Sequence, residues 1–132
     1  MVLVDTCVLV DVLQNDPQWA DWSIAQMRAQ SVAQALVINP VIYAEVSLSF
    51  STLEALDEVV QTLALEWREI PRPALFLAGK AFAQYRRRGG TKQQVLPDFL
   101  IGAHAAVEGW TLLTRDASRF KTYFPKLALL AP

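Results

Sequence analysis

One cysteine, one histidine and five glycines are all that 132 residues supply, and each scarcity closes off a chemistry. Cys7 alone cannot form an internal disulfide. It also argues against a cysteine-based zinc site, and it fits a protein of the reducing cytoplasm. With His104 as the sole histidine, a two-histidine, metal-free ribonuclease mechanism is disfavoured. No nucleophile elbow is present to suggest a Ser-His-Asp triad either, and His104 reads as a structural residue on its helix. The one glycine pair, Gly89-Gly90, follows a helical pattern and not a strand, so there is no P-loop and no dinucleotide fingerprint. No apolar run reaches the ~20 residues of a membrane helix. The apolar start, MVLVDTCVLVDVL, carries Asp5 and Asp11 without a preceding basic stretch, and reads as a strand and a helix and not as a signal peptide. Cationic charge is not in excess: 12 Lys and Arg against 13 Asp and Glu give a net charge of −1, without the global basic field common in proteins that coat nucleic acid.

What is present is apolar. At 53% hydrophobic and 19% charged residues the chain can bury a sizeable core, and its length fits one domain, 1–132. Short apolar runs alternate with helical periodicity. VLV (2–4), ALVI (35–38), WREI (67–70), WTLL (110–113) and LALL (127–130) read as strands. Helices are predicted over TCVLVDVLQ, from Pro17 to Gln30, over 40–50 and 52–64, from Pro73 to Arg87, from Pro97 to Glu108, and from Ala117 to Tyr123. Asn39-Pro40 makes a helix start, with the Asn as cap and the Pro in the first position. The expected fold is α/β: a doubly wound parallel sheet of about five strands with helices on both faces. Ligands of such sheets bind outside the carboxyl ends of the strands.

That rule selects four carboxylates. Asp5 directly follows the first strand, and Asp116 lies just beyond the fourth. Glu45 sits in NPVIYAEVSLSF, about a turn from the same edge, and at ~100° per residue it points between Val41 and Ile42, into the apolar arc. A buried carboxylate there needs a partner, either an arginine or a cation. Asp98 opens the helix before the fourth strand. Its chain direction reads as placing it at the opposite edge, so that a bend or the long loop 88–96 would have to carry it to the others. Asp5, Asp98 and Asp116 also suit helix caps or first-turn acids. The small residues Gly102 and Ala105 near Asp98 would either let a group approach that carboxylate or serve helix packing. Several carboxylates meeting at one edge cannot all ionise without a cation, and oxygen-only ligands favour Mg²⁺ or Mn²⁺ over zinc.

A second feature is local charge. Arg86, Arg87, Arg88 and Lys92 crowd one segment around Gly89-Gly90. Such a run suits a solvated helix end, where cations complement the dipole, or a phosphate-contacting patch.

VDTCVLVDVL, NPVIYAEV, LPDFLIGAHA and LLTRDASRF resemble, in that order, the four acidic motifs of the PIN domain, most closely the VapC-type ribonuclease toxins of toxin–antitoxin pairs. The resemblance spans the chain. It implies Mg²⁺- or Mn²⁺-dependent hydrolysis of RNA, a VapB-like antitoxin as partner, homodimerisation, and a loop that brings the third acid into the site. On this likeness Asp5, Glu45, Asp98 and Asp116 are the metal-binding acids. Thr114 is the hydroxyl residue two before the last acid, expected to donate a hydrogen bond behind the ligands, and Thr6 is the small polar residue after the first. Arg86, Arg87, Arg88 and Lys92 are then the expected contacts to the RNA backbone. Cys7 departs from the pattern, standing where Asn or Ser is frequent, and reads as a small buried hydrophobe. Two rivals differ in kind. A non-catalytic PIN-like binding module conflicts with the presence of all four acids. A phospho-acceptor receiver domain would need paired acids after the first strand, an acceptor Asp after the third and a Lys after the fifth, and this chain has none of the three.

Overall fold

Val2–Val4 and Leu36–Ile38 are three-residue strands with every side chain buried, as expected of central strands covered on both faces. In the computed structural model, which describes Met1–Pro132, these are β1 and β2. They join β3 (Glu66–Trp67), β4 (Thr111–Leu113) and β5 (Ala128–Leu130) in one parallel sheet of order β3-β2-β1-β4-β5. The chain thus builds outward from β1 in one direction, then restarts beside β1 and builds the other way. With right-handed crossovers this reversal places the connections of the two halves on opposite faces, which is the doubly wound arrangement. The switch point lies between β1 and β4.

The helices are α1 (Thr6–Leu13), α2 (Ala20–Ser31), α3 (Pro40–Val46), α4 (Leu53–Thr62), α5 (Arg72–Arg87), α6 (Pro97–Glu108) and α7 (Ser118–Tyr123). Their starts follow local chemistry. Asn39 accepts the Ile42 N–H at 2.9 Å and caps α3, with Pro40 in its first turn; Thr52 caps α4 through the Ala55 N–H. Gly109 ends α6 in the left-handed region at φ 71°, where a side chain would be strained.

Several boundaries differ from the periodicity. The third strand is confined to Glu66–Trp67 and both residues are exposed, because it lies at the sheet edge and its pairing ends where the Arg68 N–H reaches the Ile38 carbonyl. The second helix begins at Ala20, not Pro17: the Asp16 carboxylate accepts the N–H groups of Gln18 and Trp19, which holds 17–19 in a turn. The expected helix 40–50 stops at Val46 and tightens into a 3₁₀ turn over Ser47–Ser49.

Gly102 serves packing. A Cβ built there would lie 2.5 Å from the Phe124 ring and 3.0 Å from Phe120, so α6 seats against these two rings only because position 102 has no side chain. The carboxylate of Asp98 gains nothing from it. Gly102→Ala is expected to destabilise the protein by about 2 kcal/mol in urea unfolding; an unchanged midpoint would show that the rings shift freely.

Candidate active site

Strand register builds the site. Val4 of β1 pairs with Leu113 of β4, so the next residues, Asp5 and Thr114, stand side by side just past the carboxyl ends of adjacent strands. The Asp5 N–H bonds to the Leu113 carbonyl at 2.9 Å, which extends the ladder by one rung. Leu3 pairs with Val37 of β2, and the same register puts Asn39, the cap of α3, in this row. The carboxyl edge at the switch point therefore carries Asp5, Thr114 and the start of the helix bearing Glu45.

Asp5 is 6% exposed and is held by three groups. The Thr6 N–H donates to Oδ1 at 2.8 Å, the Thr114 hydroxyl donates to Oδ2 at 2.8 Å, and the Cys7 thiol reaches Oδ2 at 3.5 Å. Thr114 is itself fixed: it is fully buried, and its Oγ1 accepts the Asp116 N–H at 3.1 Å. Burial nonetheless dominates. It pushes the Asp5 carboxyl up to about 6, against the hydrogen bond from Thr114 and with help from the charge of Asp98.

Glu45 is half-buried, not enclosed in the apolar side of α3, whose buried residues are Ile42 and Val46. It has no arginine partner; the Thr6 hydroxyl donates to its Oε1 at 2.6 Å. Asp98 also reaches the cleft, and the expectation that it starts on the opposite edge is incorrect. α6 precedes β4 and runs antiparallel to it, so the helix starts at the carboxyl edge and ends at the amino edge, where Gly109 turns the chain into the strand. Neither a bend nor the loop 88–96 is needed. Burial raises Asp98 above the usual carboxylate range, Arg119 opposes the shift, and Asp116 adds to it. Asp116 is exposed and does not cap α7, whose first residue is preceded by Ala117.

Asp5, Thr6, Cys7, Val10, Glu45, Asp98, Asp116 and Phe120 line one open cleft of about 280 Å³. Its donors are carboxylate oxygens. The one thiol is held protonated, its pKa pushed up to about 11 by burial and by the Asp5 charge. Cys7 is thus half-buried beside the acids, in polar contact with Asp5 and Thr114, and not a buried hydrophobe. No three of the acids converge on a common point as a preassembled ligand set. Mg²⁺ suits that arrangement, because it is commonly held by one or two carboxylates and keeps several waters. A cation would also offset the burial that raises Asp5 and Asp98 and the mutual repulsion that adds to it. Donor type and electrostatics therefore fit a hard divalent cation.

Two arginines that sequence reasoning passed over organise this edge. Arg119 Nη1 lies 3.4 Å from Asp98 Oδ2. Arg115 donates to both oxygens of Asp11, at 2.8 and 3.0 Å, and Asp11 is only 2% exposed. This fork pins the Thr114–Asp116 segment to α1. Both arginines occur in the motif LLTRDASRF, which was the available signal, but their partners lie 104 and 21 residues away and nothing local names them. Arg115→Met would leave Asp11 buried with the Ser23 hydroxyl as its remaining side-chain partner. A loss of about 2 kcal/mol in unfolding free energy is expected, and no loss would mean that the pair is neutral.

The remaining predicted residues lie outside the cleft. Arg86 and Arg87 occupy the last turn of α5 and Arg88 caps it, all three exposed, as is Lys92. Arg86 donates to the Lys92 carbonyl at 2.7 Å and Arg88 lies over the Tyr123 ring at 5.4 Å. His104 is fully buried, 3.0 Å from the Asn39 side chain, and burial lowers its pKa, so it stays neutral and ties α6 to the cap of α3.

The PIN domain family model matches residues 2–124. No curated protein matches this chain in sequence. Among solved structures, the chain is similar to one of VapBC2 from Rickettsia felis bound to a promoter DNA fragment, with 20% identity, a TM-score of 0.77, and 100% of this chain and 99% of that chain covered. It is also similar to VapBC-1 from nontypeable Haemophilus influenzae (18% identity, TM-score 0.71, 99% and 98% covered) and to FitAcB from Neisseria gonorrhoeae (18%, 0.69, 98% and 96%).

Proposed function

Because this chain belongs to the PIN domain family, we propose that it is a Mg²⁺- or Mn²⁺-dependent endoribonuclease and acts as a VapC-type toxin in the cytoplasm, neutralised by a VapB-like antitoxin. One observation carries the reading: four carboxylates, Asp5, Glu45, Asp98 and Asp116, line one open cleft at the sheet's switch point. A structural acid cluster would be paired off. Here one arginine faces four carboxylates, and burial pushes the Asp5 carboxyl up to about 6.

Asp5, Asp98, Asp116 and Glu45 would hold the metal, one or two of them directly and the others through its waters. Bound there, it supplies charge stabilisation at phosphoryl oxygens and an activated water. The chain's own residues prepare the cleft for it. Thr114 and the Thr6 N–H fix the two Asp5 oxygens in one orientation. Thr6 holds Glu45 with its hydroxyl, which leaves the second Glu45 oxygen free for a water or a ligand. Arg119 opposes the burial that raises Asp98, and it offers a cation to an arriving phosphate. No side chain is placed as a nucleophile, since Cys7 stays protonated and His104 is sealed in the core. Backbone contact by Arg86, Arg87, Arg88 and Lys92 belongs to the same reading. So does homodimerisation.

The test is incubation of the purified protein with total RNA in Mg²⁺, in Mn²⁺ and in EDTA. Discrete fragments bearing 5′-phosphate ends, seen only with metal, are the expected result. Intact RNA in every lane would instead favour the non-catalytic PIN-like module that binds RNA or protein.

A further inference from the structure

Beside the acid cleft lies a second hollow that the proposed reaction does not use. Tyr85, Ser118, Arg119, Thr122 and Tyr123 border a shallow, open hollow of about 240 Å³ between the end of α5 and α7. Its two tyrosines are held at fixed angles. Tyr123 meets Phe99 at 5.2 Å and Tyr85 at 6.3 Å, both edge to face, and Tyr85 packs against Phe82 and Phe99. Tyr85 is fixed at its other end as well, its ring lying against Gly90 and its hydroxyl accepting the Lys92 N–H at 3.4 Å. Both rings are half-buried and line the hollow, Tyr85 stacked on Phe82 from the core side.

Cations stand at both rims. Arg88 lies 5.4 Å over the Tyr123 ring, and Arg119 lies 5.7 Å over Tyr85. Arg119 lines the hollow and is also bonded to Asp98 of the cleft, so it links the two. A ligand that spans the two must carry negative charge at the arginine and a planar ring next to it, with polar edges for the Ser118 and Thr122 hydroxyls. Single-stranded RNA has that form, since unstacked bases are taken by aromatic side chains and arginine planes while the phosphates meet cations.

We infer that the hollow between α5 and α7 is a nucleobase subsite, in which one unstacked base of single-stranded RNA lies against Tyr85 and Tyr123 while Arg119 contacts the phosphate that links it to the nucleotide in the acid cleft. The inference rests on the ribonuclease reading and adds to it a preference for single strands and a site for the neighbouring base.

The test uses the full chain carrying Glu45→Gln, to keep the probe intact, and two fluorescent probes of equal length: a 12-mer oligouridylate and an abasic ribose–phosphate 12-mer. The parent is expected to bind the oligouridylate about five- to a hundredfold more tightly, the range of one base stacked on an aromatic side chain. Tyr123→Leu should bring the two probes within about twofold of each other, leaving the abasic affinity unchanged. Thr122→Phe, at an exposed position bordering the hollow, should do the same by filling it, and reads the subsite even if the Tyr123 variant fails to fold. Arg119→Gln should weaken both probes alike and reduce the salt slope by about one. A parent without base preference, or a preference untouched by Thr122→Phe, would overturn the subsite. A preference lost as expected, in a protein whose unsubstituted form cleaves no RNA, would keep the subsite and remove the nuclease reading beneath it.

Discussion

Asp98→Asn is expected to lose RNA cleavage by roughly a thousandfold, ~4 kcal/mol of transition-state stabilisation, while its thermal midpoint stays within a few degrees of the wild type. Both halves follow from the surroundings. Asp98 has one side-chain contact, the 3.4 Å approach of Arg119, and its side chain is 40% exposed, so the amide removes little from the fold. What it removes is a charged oxygen ligand at the mouth of the cleft. Asp116→Asn should behave alike, because Asp116 is exposed and its place in the fold is secured by its backbone N–H on Thr114 and not by its carboxylate. Cleavage assays and melting curves on the same preparations check both. Near-normal activity in either variant would remove that residue from the site.

The second large effect is a gain in stability. Without metal, Asp5→Asn should make the protein more stable at pH 8 by about 2–3 kcal/mol, the free energy of a roughly two-unit pKa shift less some relaxation. The sign follows from the shift. Burial raises the folded-state pKa of Asp5 from 3.8 to about 6. Its contribution to stability is therefore fully present below about pH 4, and is lost as the pH rises to about 6 and the buried carboxyl must ionise. Asparagine has no such loss and keeps an acceptor for the Thr6 N–H. The variant and wild type should then match near pH 4 and diverge up to neutrality. Adding Mg²⁺ should reverse the order, stabilising the wild type but not the variant. A difference independent of pH would show that Asp5 is held by something other than a suppressed charge.

Much of this arrangement can be read from the residues in order. VLV, LVI and, after Thr111, LL are buried strand segments because each is short, apolar and followed by a polar residue at the strand's end. Once the sheet is taken as parallel, Asp5 and Asp116 fall at its carboxyl edge with no further information. Asp98 is legible as well, since a helix that leads into a parallel strand starts at the carboxyl edge; chain direction read without that rule puts it on the wrong one. Glu45 stands out of place in the apolar pattern of α3, but its exposure depends on the cleft opening beside it, which helical periodicity cannot show. The residues that escaped are those defined by distant partners. Asp11 looks like any acid on a short helix until Arg115 closes on it from 104 positions away. Arg119 reads as one more cation in a basic motif until α7 lays it against Asp98, Tyr85 and Phe99. The hollow between α5 and α7 likewise belongs to packing, because its two tyrosines come from helices separated in sequence by the whole of α6 and β4.

The central claim is that the carboxylates at the switch point hold a divalent cation. Mn²⁺ binding followed by electron paramagnetic resonance tests it directly, with wild type compared to the Asp5→Asn, Asp98→Asn double variant. Saturable binding by the wild type, competed by Mg²⁺ and lost in a double variant that remains folded, is the predicted result. Equal binding by both proteins, or none by the wild type, would contradict the account at its base.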